Sequence, residues 1–179
     1  RHTNAAAPRV MADIPYATVN GRPLTFDLYM PEGVARPPLL IWVHGGAWQS
    51  GSKSSVPKGL TTHGFAVASV DFRQSTEAPF PAMVHDIKGA IRVLRARAAQ
   101  YGYRADRTAI GGDSSGAHLA ALVGVTSGEA SLEGTVGGHL NQSSAVQAIL
   151  DYYGAANLTT VAVTGHSNIA TATVSGNAT

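Results

Sequence analysis

The chain has 179 residues, 44% of them hydrophobic and 13% charged, with a net charge of +2. That is enough apolar chain for one domain with a real core, and no basic block is dense enough for a nucleic-acid surface. The lack of cysteine excludes disulfides, thiolate metal sites and a thiol nucleophile, and no run approaches the ~18 apolar residues of a membrane span.

The opening "RHTNAAAPRV" is polar and Ala-rich and shows no secretory-leader pattern. A secreted or periplasmic setting is preferred slightly over a cytoplasmic one. The first element is a hairpin. Asn20-Gly21 is the strongest short turn signal, because a type I′ turn needs positive φ at both central positions. After it Leu24, Phe26 and Leu28 alternate with Thr25 and Asp27, the period of a half-buried strand. Pro31, Pro37 and Pro38 then mark a loop.

"LLIWV" (39–43) is a continuous apolar run suited to a strand buried on both faces, as in a parallel sheet. "FAVASV" (65–70), the short "TAI" before Gly111 and "AVQAIL" (145–150) read as three more strands. Between the second and third lies the clearest helix. Pro81 stands near its start, and Val84, Ile87, Ile91, Leu94 and Ala98 share one face. Gly102 closes it. Lys88, Arg92 and Arg95 fall on another face, which reads as a solvated stripe rather than a surface for an acidic partner. Strands alternating with helices predict an α/β fold, a mainly parallel sheet with helices on both faces and an N-terminal antiparallel hairpin. Residues 1–160 read as the N-terminal part of a domain; 161–179, rich in Thr, Ala, Asn, Ser and Gly, read as a tail or linker.

Gly112, Asp113, Ser114, Ser115 and Gly116 spell G-x-S-x-G between the strand-like "TAI" and the helix-like "SGAHLAALVG". A strand-to-helix elbow holds its serine in a strained, exposed position, and only small neighbours permit the turn. Ser114 therefore reads as a nucleophile. The second piece is "HGGAW" (44–48), directly after the first buried strand. Attack on an ester places negative charge on the carbonyl oxygen, and each backbone N–H aimed at it contributes a factor of roughly 10² to 10³. Gly46 and Ala47 would supply two such donors. The N–H of Ser115, at a helix N-terminus, would supply a third.

The blocks "LLIWVHGGAWQSGSK", "FAVASVDFRQS", "DIKGAIRVLRARAAQYG", "RTAIGGDSSGAHLAALVG" and "VQAILDYYGAANLT" resemble, in order and spacing, the α/β-hydrolase superfamily. More narrowly they resemble the bacterial carboxylesterases related to hormone-sensitive lipase and the bacterial feruloyl-esterase-like group. The resemblance runs from about residue 14 to about residue 160. It implies short-chain or aromatic acyl esters as substrates, an acyl-enzyme on Ser114, and no metal or cofactor. It makes His118 and Asp151 structural, gives His44 an orienting role in the oxyanion turn, and ties the Asp71–Arg73 pair to that turn. It turns Asp113 away from the serine. One departure is Ser115, where the family often has Ala.

The larger departure is length. The family order is Ser, then acid, then His, and both partners follow two further strands. The expectation is a chain with nucleophile and oxyanion donors but without its acid and base, its C-terminal strands missing and "AVQAIL" left as an apolar edge prone to self-association. An alternative is a complete small esterase with a rearranged Ser114–Asp151–His166 triad. A non-catalytic binding module of the same fold and a related peptidase also remain open. His63, His85 and His139 read as surface or loop residues, and Trp48 either lines an acyl pocket or packs on its loop.

Overall fold

The computed structural model describes residues 7–57 and 59–158. The hairpin forms as its turn signal requires. β1 (Arg9–Val19) and β2 (Arg22–Met30) pair antiparallel across Asn20 (φ 49°) and Gly21 (φ 79°), the two positive angles of a type I′ turn. β3 (Pro38–Val43), β4 (Ala66–Val70), β5 (Arg104–Asp113) and β6 (Ala148–Tyr152) run parallel to one another. The sheet order is β1-β2-β4-β3-β5-β6. The third strand is longer than its apolar "TAI" suggested, and the fourth begins three residues later than the expected 145. Neither boundary is marked by hydrophobicity: Gly111, Gly112 and Asp151 pair in the ladder although their side chains carry no strand signal.

Period-two alternation divides β3 and β4 between two faces. Leu39, Ile41, Val43, Ala66, Ala68 and Val70 join one hydrophobic cluster. Helix α1 (Ala82–Ala96) supplies Val84, Ile87, Ile91 and Leu94 to it, and α3 (Ser115–Val125) supplies Leu119, Ala120 and Val123. Leu40, Trp42, Val67 and Ser69 are buried on the other face. There Trp42 Nε1–H donates to the Ser55 carbonyl at 2.9 Å, and the Ser69 hydroxyl donates to the Lys53 carbonyl at 2.6 Å. A sheet buried on both sides explains why these strands read as continuous apolar runs. The predicted helix breaks at Arg97; a short α2 (Ala98–Tyr101) continues to Gly102, whose φ of 86° ends it.

The basic stripe is not solvated. Lys88 and Arg92 have side chains 0% and 2% exposed. They face residues 126–145, which include a short α4 (Ala130–Glu133) that lacks any apolar period and was not foreseen. Lys88 Nζ donates to Glu133 at 2.9 Å and to the Thr126 carbonyl. Arg92 donates to Glu133 and to the carbonyls of Gly134, Val136 and Gly138. Arg95 holds the carbonyls of Ala105, Ser143 and Ala145. A loop rich in glycine presents main-chain oxygens instead of side chains, so cations on an adjoining helix can satisfy it. The sequence pattern shows the charges but not these acceptors.

Glu133 is the carboxylate that compensates two buried cations. Burial alone would raise its pKa, but hydrogen bonds from Lys88, Ser144 and Gly128, and the Lys88 charge, outweigh this and hold it below the ordinary value. Its contribution to stability is therefore complete above the unfolded-state pKa and is lost as pH falls through the lower folded-state pKa. Glu133→Gln should cost about 3–5 kcal/mol at neutral pH, the usual penalty for breaking a buried pair from one side. Urea unfolding of the two proteins between neutral pH and pH ~3 should show the difference shrinking with acid; a gap independent of pH would disprove the charge argument.

Candidate active site

The site is built at the carboxyl ends of β3 and β5, where Val43 and Gly112 are register partners. Ser114 follows β5 with φ 51° and ψ −122°, exposed, and α3 starts at the next residue. The geometry requires Gly112 and Gly116. A Cβ on Gly116 would lie 2.2 Å from the Val43 carbonyl oxygen and 2.5 Å from that of His44. One on Gly112 would lie 2.5 Å from the Val43 oxygen. The backbone of the elbow is thus pressed directly onto the end of β3. The Ser114 N–H donates to the Tyr152 carbonyl at 2.9 Å, which fixes the elbow to β6 as well.

The "HGGAW" loop leaves β3 and folds over this elbow. Gly46 (φ 129°), Ala47 (φ 53°) and Trp48 (φ 61°) all have positive φ. The loop is fastened to the elbow at both ends. Gly45 N–H donates to Asp113 Oδ1 at 3.1 Å, and Trp48 N–H donates to Ser115 Oγ at 3.2 Å. The N–H groups of Gly46 and Ala47 lie between these clamps, and that of Ser115 opens α3. Among the described residues these three donors have no acceptor. The arrangement fastens a loop with unpaired main-chain donors to the residues on either side of the exposed Ser114.

His44 is buried and stacks on Phe72 with ring centroids 4.7 Å apart. Its Nδ1–H donates to the Gly45 carbonyl at 2.8 Å, and Gln74 Nε2 approaches its Nε2 at 3.5 Å. Burial lowers its pKa against the opposing pull of the Gly45 carbonyl, Asp71 and Asp113. Both ring nitrogens are directed to Gly45 and Gln74, so the ring supports the turn. Trp48 is buried in the core cluster, and its indole N–H donates to His118 Nδ1 at 3.3 Å. Of its two sequence readings, packing on the loop fits.

The Asp71–Arg73 pair is corrected. Arg73 turns to Asp86 of α1, meeting it through Nε at 2.8 Å and Nη2 at 2.7 Å; Asp86 is fully buried and requires that cation. Asp71 instead pairs with Arg22 beside the hairpin at 3.2 Å. The tie to the HGGAW loop is made by Ser75, whose N–H donates to the Trp48 carbonyl at 2.8 Å. Sequence reasoning also missed the clamps from Asp113 and Ser115, and Gly51, where a Cβ would lie 2.3 Å from the Gly45 carbonyl oxygen. The spacing of "GGAWQSG" was the available signal, a glycine six residues past the turn's first.

Among the described histidines none hydrogen-bonds to Ser114. His85 lies against the Ser131 carbonyl at 3.1 Å. His63 and His139 are exposed. Asp151 accepts from Gly154 N–H at 2.7 Å, and its charge acts on His118. His166 falls outside the described residues, as does the 161–179 tail. No group of three or more His, Asp or Glu with metal-binding geometry occurs among the described residues, and no helix there is long and apolar enough to cross a membrane.

The BD-FAE family model matches residues 26–177, which continues past residue 160, where the block-by-block resemblance stops. Esterase LipQ of Mycobacterium tuberculosis is 35% identical over 155 residues, which is 83% of this chain and 36% of that protein. The structure of a truncated form of a carbohydrate esterase from gut microbiota superposes with a TM-score of 0.77 at 32% identity, covering 85% of this chain and 59% of that one. A hyperthermophilic esterase from Pyrobaculum calidifontis gives a TM-score of 0.71 at 29% identity, covering 89% and 48%. The chain thus spans about a third of the length of LipQ. With the family model covering most of the residues, and the elbow and loop arranged as in an α/β-hydrolase, the chain belongs to the BD-FAE family.

Proposed function

We propose that the chain carries the nucleophile and oxyanion-binding half of a carboxylic-ester hydrolase, acting on short-chain or aromatic acyl esters. The observation that carries this reading is the exposed Ser114 at φ 51° beside three main-chain N–H groups without acceptors among the described residues. The Ser114 oxygen adds to the ester carbonyl carbon, and the carbonyl π pair moves to oxygen. Gly46, Ala47 and Ser115 N–H groups receive that charge. Collapse expels the alcohol and leaves an acyl-serine, which water then cleaves. The serine proton must pass to a base and from it to the leaving alkoxide.

The described residues offer no such base. His118 Nδ1 is occupied by Trp48, and His44 is held by Gly45 and Gln74. The described part alone therefore runs this chemistry slowly. In a comparable serine hydrolase, loss of the base costs on the order of 10⁶ in kcat and leaves ~10³ to 10⁴ over water. The alternative, a rearranged triad through Asp151 and His166, depends on His166, which lies outside the described residues.

Labelling with a fluorophosphonate, followed by peptide mass spectrometry, tests the reading without needing turnover. The wild-type chain should acquire one slow adduct, on Ser114, and Ser114→Ala should acquire none. Hydrolysis of p-nitrophenyl acetate should be slow and should fall further in that variant. Equal hydrolysis and no adduct in either protein would refute the proposal, and fast turnover would refute the missing base.

Among the described residues nothing pairs with the outer side of β6. Ile149 and Tyr152 are 38% and 47% exposed there, and an apolar unpaired strand is a template for another chain. Self-association through this edge should appear as a mass that rises with concentration in light scattering after size exclusion. Ile149→Lys should return the monomer; a wild type that stays monomeric throughout removes the idea.

A further inference from the structure

The oxyanion loop holds two consecutive non-glycine residues, Ala47 and Trp48, in left-handed conformation. Such a conformation is strained for a residue with a side chain and persists only where surrounding contacts impose it. Those contacts converge on Trp48. Its N–H donates to Ser115 Oγ at 3.2 Å, and its carbonyl accepts from Ser75 N–H at 2.8 Å. Its indole N–H donates to His118 Nδ1 at 3.3 Å, with the rings edge-on at 5.4 Å.

We propose that Ser115 and His118 are positioning residues that act through Trp48 to aim the Gly46 and Ala47 N–H groups, and that His118 does so only in its neutral form. The inference rests on the hydrolase reading of this site. Ser115 is suited to the role because it stands on both sides of the oxyanion position. Its own N–H is the donor from α3, and its hydroxyl, three bonds away, fixes the loop that bears the other two. The residue often found at this position in the resembled group, Ala, has no such hydroxyl. Ser115 is 4% exposed, so water does not replace the bond readily.

His118 accepts at Nδ1 and so carries its proton on Nε2. Protonation would place a second N–H against the indole N–H and break the contact. The groups facing His118 are Trp48 from the loop, which is uncharged, and Asp151 from the end of β6. Burial lowers the His118 pKa more than Asp151 raises it. The contact is consequently intact at neutral pH and is lost as pH falls through a value below the usual histidine 6.5.

The test uses the two indole ¹H–¹⁵N resonances of the full chain, the one absent from Trp48→Phe being that of Trp48. This resonance should titrate with a midpoint below 6.5, and His118→Gln should abolish the titration. In parallel, Ser115→Ala should slow fluorophosphonate labelling of Ser114 by about 10- to 100-fold, leave the initial reversible binding step unchanged, and recover in Ser115→Thr. A Trp48 indole that ignores pH, or labelling equally fast in Ser115→Ala, overturns the proposal. An indole that titrates while wild-type Ser114 never reacts supports the contact and removes the hydrolase reading instead.

Discussion

The arrangement depends on one close approach, the end of β3 against the backbone of the Ser114 elbow. The carbonyl oxygens of Val43 and His44 occupy the space that a Cβ on Gly116 would fill. Because β3 and β5 are parallel partners with Val43 opposite Gly112, both strands end at the same level. The loop leaving one must then pass over the turn leaving the other. A single methyl at Gly116 would push main chain against main chain, a displacement no side-chain rotation can absorb. The fold in this way brings the loop into hydrogen-bonding distance of Asp113 and Ser115, some seventy positions away and on either side of Ser114, at the strand ends where open α/β sheets place their ligands.

A chain with so little charge uses its ionic groups structurally. Asp86 is committed to Arg73, Glu133 to Lys88 and Arg92, and Asp71 to Arg22. These links join α1 to the loop after β4, α1 to residues 126–145, and the hairpin to the start of the same loop. Each connects elements that are separate in the sequence. Asp113, the acid next to Ser114, serves likewise, accepting the Gly45 N–H. The charged side chains thus fix loops, and the candidate chemistry is left to a hydroxyl and main-chain donors.

That division explains what was legible in the sequence. The elbow could be read because its steric demands admit few residues, so Gly112 and Gly116 flank Ser114 visibly. The hairpin could be read because Asn20-Gly21 satisfies two positive φ angles. The buried strands could be read as apolar runs. Contacts to main-chain atoms could not, since any residue carries a carbonyl or an N–H. Lys88, Arg92 and Arg95 looked solvated because most of their acceptors are backbone oxygens, and the Glu133 carboxylate shared by the first two is some forty positions away. Ser115 looked like a mild substitution because its partner is the N–H of Trp48. Arg73 was assigned to the wrong neighbour because Asp71 is adjacent in sequence, whereas the carboxylate that cannot do without a cation is the buried Asp86.

The left-handed loop is also intelligible in energetic terms. Holding Ala47 and Trp48 at positive φ costs about 1–3 kcal/mol each, and the compensating hydrogen bonds contribute about 0.5–1.5 kcal/mol apiece. The loop is therefore nearly balanced in the resting protein. A single well-aimed oxyanion donor lowers a reaction barrier by about 2.7–4 kcal/mol, as much as the strain of either residue or more. The same near balance makes the loop sensitive to its clamps. Removing one bond to Trp48 tilts the equilibrium toward relaxed conformations in which the N–H groups no longer converge, while Ser114, held independently by the β3 contact and the Tyr152 carbonyl, stays where it is. The proposed oxyanion donors and the proposed nucleophile should consequently be separable by mutation, because different contacts hold the loop and the elbow.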